Sequence, residues 1–252
     1  MRKIHTAIGL AALAMMYAGI GQAQDYQLEA GLNYLGIDPD GGSSDSALGA
    51  DLTWHFAPVK TEGRPLAEAA FLGRSSNLQL GYTSVDKADT DVINVGGELY
   101  FENFYFAAGY QRVDYDFDES NDFDVALGFL PMDGLLLKVG YAKQDLSDID
   151  TVSLGAKYVA ALTGGTAFGV EGGLDIVDDP ADSKIISARG DYYFTPAISA
   201  GVLVAYDDND IDNETSAGVA ARWFFTPAFS VEGGFMASDN ADTWNVRLAG
   251  RF

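Results

Sequence analysis

Apolar and polar residues alternate one by one along most of the chain. Tyr26, Leu28, Ala30, Leu32 and Tyr34 take one parity, and Gln27, Glu29, Gly31 and Asn33 take the other. Leu48, Ala50, Leu52, Trp54 and Phe56 alternate in the same way with Gly49, Asp51, Thr53 and His55. A period of two is the signature of a β-strand whose two faces meet different surroundings. The pattern returns at 78–82, 93–101, 104–110, 123–129, 135–141, 152–158, 168–176, 186–194, 198–206, 217–225, 229–235 and 244–252. It predicts 14 strands of about ten residues, the length a tilted strand needs to cross a bilayer. Segments 78–82 and 104–110 are weakly patterned, which leaves twelve strands open.

The connections alternate in kind. One set is tight: Glu102-Asn103, Pro131-Met132-Asp133, Thr163-Gly164-Gly165, Thr195-Pro196-Ala197 and Thr226-Pro227-Ala228. The other set is longer and acidic, at 36–46, 85–91, 114–124, 144–150, 175–184, 206–215 and 238–243. Short turns at one end and longer loops at the other describe a transmembrane antiparallel up-and-down β-barrel, with periplasmic turns and extracellular loops. A soluble sandwich would alternate too, but its apolar faces would pack on a second sheet. Aromatic residues at strand ends, namely Tyr26, Tyr34, Trp54, Phe56, Phe101, Phe104, Phe129, Phe194, Phe225, Phe229 and Phe252, favour the barrel, because such residues gather at membrane interfaces. We read them as a girdle at the short-turn end. An even strand number places both termini on the periplasmic side.

The two chain ends agree with export and outer-membrane insertion. Arg2 and Lys3, the apolar stretch from Ile8 to Ile20 and the small residues Gly21 and Ala23 form a cleavable signal peptide over 1–23, leaving 24–252 as the barrel. At the other end Trp244, Val246, Leu248 and Phe252 lie on one parity, and Phe252 is the final residue. This resembles the insertion signal read by the barrel assembly machinery.

One connection breaks the rhythm. Residues 57–75 replace a tight turn and contain Pro58-Val59, then Gly63-Arg64-Pro65-Leu66-Ala67-Glu68-Ala69-Ala70-Phe71-Leu72, with Pro65 placed to start a short helix. We expect this helix to cover the periplasmic rim rather than act as a plug. The 58–72 stretch, with the Asp-rich loops, the Thr-Pro-Ala turns and the terminal Phe252, resembles the porins of gammaproteobacterial outer membranes. The resemblance covers the layout of the whole chain and implies a channel, with no catalytic residue to carry over and no particular solute.

The inward parity of the strands carries acids at Glu29, Asp51, Glu98, Glu171, Asp191 and Glu232, and bases at Lys138, Lys157, Arg189, Arg222, Arg247 and Arg251. These twelve are the expected pore lining. Six acids balance six bases, so the wall reads as ionic and nearly neutral. Arg222 and Glu232 stand equally far from Pro227, and Lys157 and Glu171 equally far from Gly164, which predicts two cross-strand pairs. Many other inward positions are glycine, including Gly31, Gly81, Gly109 and Gly201, which leaves volume free. The extracellular loops are too short to fold inward as a constriction.

Charge sharpens the functional reading. The chain of 252 residues holds 15 basic and 37 acidic residues, a net charge of −22. The seven longer connections contain 26 of those acids, with Lys87 and Lys184 as their only bases. A negative mouth concentrates cations, so the expected solutes are cations and small hydrophilic molecules passing through a passive channel. The alternative is a non-conducting structural or adhesive barrel. Nucleic acid is excluded as a partner, because phosphate contacts need a basic surface. The expected partners are instead outer-membrane lipid and lipopolysaccharide. No metal and no cofactor is expected: there is no cysteine, and Asn213 follows Asp212 where a calcium loop of the EF-hand type requires glycine. The mature chain has one histidine, His55, read as a polar residue at the interface, which leaves an enzyme without its usual acid–base partners.

Overall fold

The computed structural model describes residues 25–115, 118–179, 182–209 and 213–252. The expected signal peptide and Asp116, Asp210 and Asp212 lie outside them. Fourteen strands form among the described residues: β1 (Asp25–Pro39), β2 (Asp45–Lys60), β3 (Asn77–Val85), β4 (Thr90–Phe101), β5 (Phe104–Asp114), β6 (Glu119–Met132), β7 (Leu135–Gln144), β8 (Ile149–Ala161), β9 (Ala167–Asp178), β10 (Lys184–Thr195), β11 (Ile198–Asp208), β12 (Glu214–Thr226), β13 (Phe229–Ser238) and β14 (Ala241–Arg251). Each pairs antiparallel with its sequence neighbours, and β1 pairs with β14, so the sheet is a closed barrel. The weakly patterned β3 and β5 are full members, which settles the count at fourteen rather than twelve.

Closure is completed at the C-terminus. The amides of Gln27 and Leu28 donate to the Phe252 carbonyl at 2.8 and 3.0 Å, and the Phe252 amide donates to the Leu28 carbonyl at 2.8 Å. The Phe252 ring meets Phe229 edge-on. In hydrocarbon an unpaired strand edge has no alternative partner, so this seam carries the same requirement as every other strand pair.

The apolar parity faces outward. Leu127, Leu154, Val202, Val219 and Leu248 are more than half exposed, as side chains facing lipid would be in a chain surrounded by nothing else. Aromatic residues form two belts. Phe56, Phe101, Phe104, Phe194 and Phe225 are exposed at the short-turn end. Tyr34, Tyr110, Tyr141 and Trp244 lie towards the loop end, where Tyr82 and Tyr141 donate their hydroxyls to Asp91 (2.8 Å) and Asp150 (2.5 Å). Tyr34 therefore belongs to the second belt, and Tyr26 to neither. The register shifts between Tyr26 and Leu28, which turns the Tyr26 ring inward, where it is buried against Val59 and His55.

The connections at the loop end are shorter than the sequence suggests. β6 begins at Glu119 and β10 at Lys184, so much of the acidic text is paired strand. Beyond the bilayer there is no lipid to demand an apolar face, so alternation stops while backbone pairing continues. At the other end the β6–β7 turn is Asp133-Gly134, with Gly134 in the left-handed region, and Pro131 and Met132 remain in β6.

The two faces can be separated by one residue of displacement. Leu154 points outward at mid-strand, whereas its neighbour Ser153 faces inward opposite Asp175. Leu154→Arg is expected to lower folding stability in lipid vesicles by about 2–4 kcal/mol. Ser153→Arg should cost far less, as read by denaturant titration of the two variants.

Candidate functional site

The chemistry of the barrel lies in its lumen, and the lumen is shaped by residues 61–76. Pro65 precedes a 3-10 turn, Leu66–Glu68, which runs into one helical turn, Ala69–Leu72. This element does not cover the rim. It lies inside the barrel, across the short-turn end, and touches the wall on all sides. Ala69 is fully buried against Tyr26 and Val59. Phe71 packs on Tyr105, Leu130 and Leu136 from one direction and on Val159, Ala167 and Tyr193 from another. The lumen is thus narrowed by the β2–β3 connection, from the end opposite the loops that are too short to do so.

Polar contacts hold the insert as firmly as apolar ones. Lys157 pairs with Glu68 at 2.9 Å and sits over the Phe71 ring. The Tyr193 hydroxyl donates to the other Glu68 oxygen at 2.7 Å. The Leu66 amide donates to the Pro196 carbonyl at 2.8 Å, and Arg251 Nη1 donates to the Leu66 carbonyl at 2.9 Å. At the exit Arg74 binds the Glu102 carbonyl, the Asn103 side chain and Asp133, tying the segment to two neighbouring turns.

All twelve residues expected to line the pore stand on the inward parity. Arg251 donates to Glu29 at 2.5 Å and lies between the Tyr26 and Phe224 rings. Arg247 bridges Glu29 (3.1 Å) and Asp51 (2.6 Å). Arg189 pairs with Asp191 two residues along the same strand at 2.7 Å. Arg222 and Glu232 are opposed in register and form an ion pair, as their equal distance from Pro227 implies. Lys157 and Glu171 are also opposed in register, but the expected pair does not form. The insert offers Lys157 the closer Glu68 carboxylate, and Glu171 is met by Lys138 at 3.8 Å. Glu98 accepts from Asn77 and Tyr105, each at 3.0 Å, and has no basic partner.

The expected balance of six against six needs correction. Glu68 enters the lumen with the insert, and Asp124 and Asp175 lie on the inward parity of β6 and β9. Asp124 lies over Gly109, where even a methyl group would overlap its carboxylate. The lumen is therefore acidic. Both residues continue a readable alternation, so parity could have found them, whereas Glu68 was hidden because its segment has no strand period.

His55 also differs from expectation. It is a buried lumen residue, with Nδ1 3.0 Å from Ser75 Oγ and its ring edge-on to Tyr26. Its place is structural, at the exit of the insert.

Residues 8–150 match a family model described as "Putative general bacterial porin" (Porin_7). The chain belongs to this porin family. Among solved structures it is similar to the outer membrane protein Omp33 of Acinetobacter baumannii, with a TM-score of 0.77 and 25% identity over 92% of this chain and 100% of that one. The fold also recurs in a triple mutant of the Rhodopseudomonas blastica porin, with a TM-score of 0.50 and 14% identity over 89% of this chain and 100% of the other. A third likeness is Pseudomonas putida OprB, with a TM-score of 0.51 and 10% identity over 90% and 94%. No curated protein matches the sequence significantly.

The chain is thus an outer-membrane porin, a channel and not an enzyme, and its short-turn end faces the periplasm. In this porin the narrow zone is periplasmic, with cavities of about 290 and 320 Å³ lined by the insert and the ionic wall. Replacing residues 66–72 by a short Gly-Ser turn is expected to raise single-channel conductance several-fold in a planar bilayer. An unchanged conductance would show that ions do not pass the insert.

Proposed function

We propose that this porin is a passive, cation-preferring channel for ions and small hydrophilic solutes. The observation that carries the reading is the sign of the charge along the lumen: its carboxylates outnumber its bases, and every one of the six bases is held by an acid. Acids at the loop-end hairpins add a negative vestibule. A cation arriving from outside meets negative potential before it reaches the paired charges, while an anion finds no uncommitted base.

The biogenesis that goes with this reading uses the two chain ends. Residues 1–23 direct export and are removed. The final strand, with Trp244, Val246, Leu248 and Phe252 on its outward parity, is the signal taken up by the barrel assembly machinery, and the finished barrel sits among outer-membrane lipid and lipopolysaccharide. Because the insert crosses the lumen, a non-conducting structural barrel is the second reading, and the measurement of conductance separates the two.

Reversal potentials across a salt gradient should give K⁺ preference at low ionic strength. The vestibule contribution should fade near ~1 M salt, where the Debye length falls to about 3 Å. Anion preference at low salt would sink the proposal. Deleting Phe252 removes three backbone hydrogen bonds at the seam. It should lower the assembled fraction, seen as loss of heat-modifiable mobility in membrane extracts.

A further inference from the structure

The charge of the lumen is uneven around its circumference as well as along its axis. All six bases project from β7, β8, β10, β12 and β14, and the inward positions of β2 to β6 carry no Lys or Arg. Arg112, the base of β5, lies on the outward parity at the loop-end rim, bound by Asp114 and Glu119. Lys138 is the base nearest to this wall in strand order. It leans the other way, with its chain over Gly155 of β8 and its ammonium towards Glu171 of β9.

On β3 to β6 of this wall, deeper than Asp122, whose carboxylate accepts from Ser120 Oγ and the Asp145 amide, two carboxylates stand in sequence towards the constriction. Asp124 is exposed in the lumen, and among the described residues its carboxylate meets no hydrogen-bond donor and no base. Glu98 lies two strands away and one inward step deeper, since Asp124 is opposite Gly109 and Glu98 is opposite Ala107. Glu98 lines the same cavity of about 320 Å³ as Glu68 and Phe71 of the insert. Among the described residues, the other acids lining the two cavities, Glu29, Glu68, Glu171, Asp191 and Glu232, each face a Lys or Arg. Glu98 has only the Asn77 amide and the Tyr105 hydroxyl. An ionised carboxylate has about four acceptor positions, so two neutral donors leave it both charged and able to take a further ligand.

We infer that Glu98 is the specificity-determining residue of the lumen, the step at which a permeating alkali cation or primary ammonium group is bound after passing Asp124 along the β3–β6 wall. On the opposite wall the acids that line the two cavities are each held by a base, and the inward Asp175 of β9 stands nearer the mouth. The inference rests on the cation preference proposed above and locates it inside the barrel rather than at the loops.

Salt separates the two contributions. The vestibule is screened at ~1 M, whereas an ion in contact with Glu98 is closer than the ~3 Å Debye length. The experiment compares K⁺ over Cl⁻ permeability at low and ~1 M KCl for the wild type, Glu98→Gln, Glu98→Asp, Asp124→Asn and, as an equal change of charge at a loop tip, Asp239→Asn. Heat-modifiable mobility verifies assembly. Glu98→Gln should lower the permeability ratio about five-fold at both salt concentrations, Glu98→Asp should retain most of it, and Asp124→Asn should lower it less. Asp239→Asn should act at low salt alone. If the wild type prefers cations but Glu98→Gln behaves like Asp239→Asn, Glu98 is not the determinant and the vestibule is. If the Gln variant does not assemble, the Asp and Asn variants decide: wild-type ratios at ~1 M in Asp124→Asn, or a ratio collapsed in Glu98→Asp, overturn the inference. A wild type without cation preference overturns the proposed function itself.

Discussion

A strand in hydrocarbon must find every backbone partner in a neighbouring strand, and the architecture of this porin follows from that requirement. It forces the sheet to close, so β1 meets β14 and the last residue, Phe252, shares the seam. Closure fixes which parity sees lipid, and lipid admits only apolar and aromatic side chains. All charged chemistry within the bilayer is thereby confined to the lumen, where some of it is solvated and some must be compensated.

Compensation explains the insert. A bare lumen would leave Lys157 and Arg251 at the periplasmic end among aromatic rings, with fewer acceptors than their charge demands. Residues 66–72 bring a carboxylate to Lys157 and a carbonyl to Arg251, and their apolar side chains fill the space between. Breaking a buried ion pair by removing one partner costs about 3–5 kcal/mol. Arg251, whose side chain is 6% exposed, sits closest to that limit. The contacts that neutralise Lys157 and give Arg251 a further acceptor therefore hold the constriction in place, so packing and electrostatics at this end cannot be varied independently.

What the sequence makes legible is whatever is periodic. Alternation reveals the strands, and the symmetry of a tight turn reveals the opposition of Arg222 and Glu232, because both depend on local repetition. Three features escape for physical reasons. The bulge between Tyr26 and Leu28 reverses parity without leaving a mark in hydropathy, which misplaces Tyr26 in the girdle. Strands continue past the bilayer, where no lipid enforces an apolar face, so their acidic ends read as loops. And Lys157 is diverted from Glu171 by Glu68, a residue 89 positions away in sequence whose segment has no strand period. Register predicts who stands opposite whom; it does not predict a third element entering from the barrel's end.

That third element also bears on the selectivity proposed for the porin, because it completes the pairing of the lumen bases at Lys157. If the bases were free, an acidic lumen with six of them would attract both signs and discriminate poorly. Holding each base in an ion pair removes the anion's footholds at the expense of one added acid, Glu68, and the paired groups remain as a polar, nearly neutral surface. Net charge then resides in the carboxylates that the pairing leaves over, among them Glu98 and Asp124 on the wall that carries no base and Asp175 on β9. On that proposal, a small number of uncompensated groups close to the permeation path would outweigh a larger number at the mouth at high salt, because contact interactions survive the screening that suppresses distant ones. In the proposed cation channel the negative loops would raise the local concentration of cations, while the arrangement of ion pairs would decide where in the lumen those cations can go.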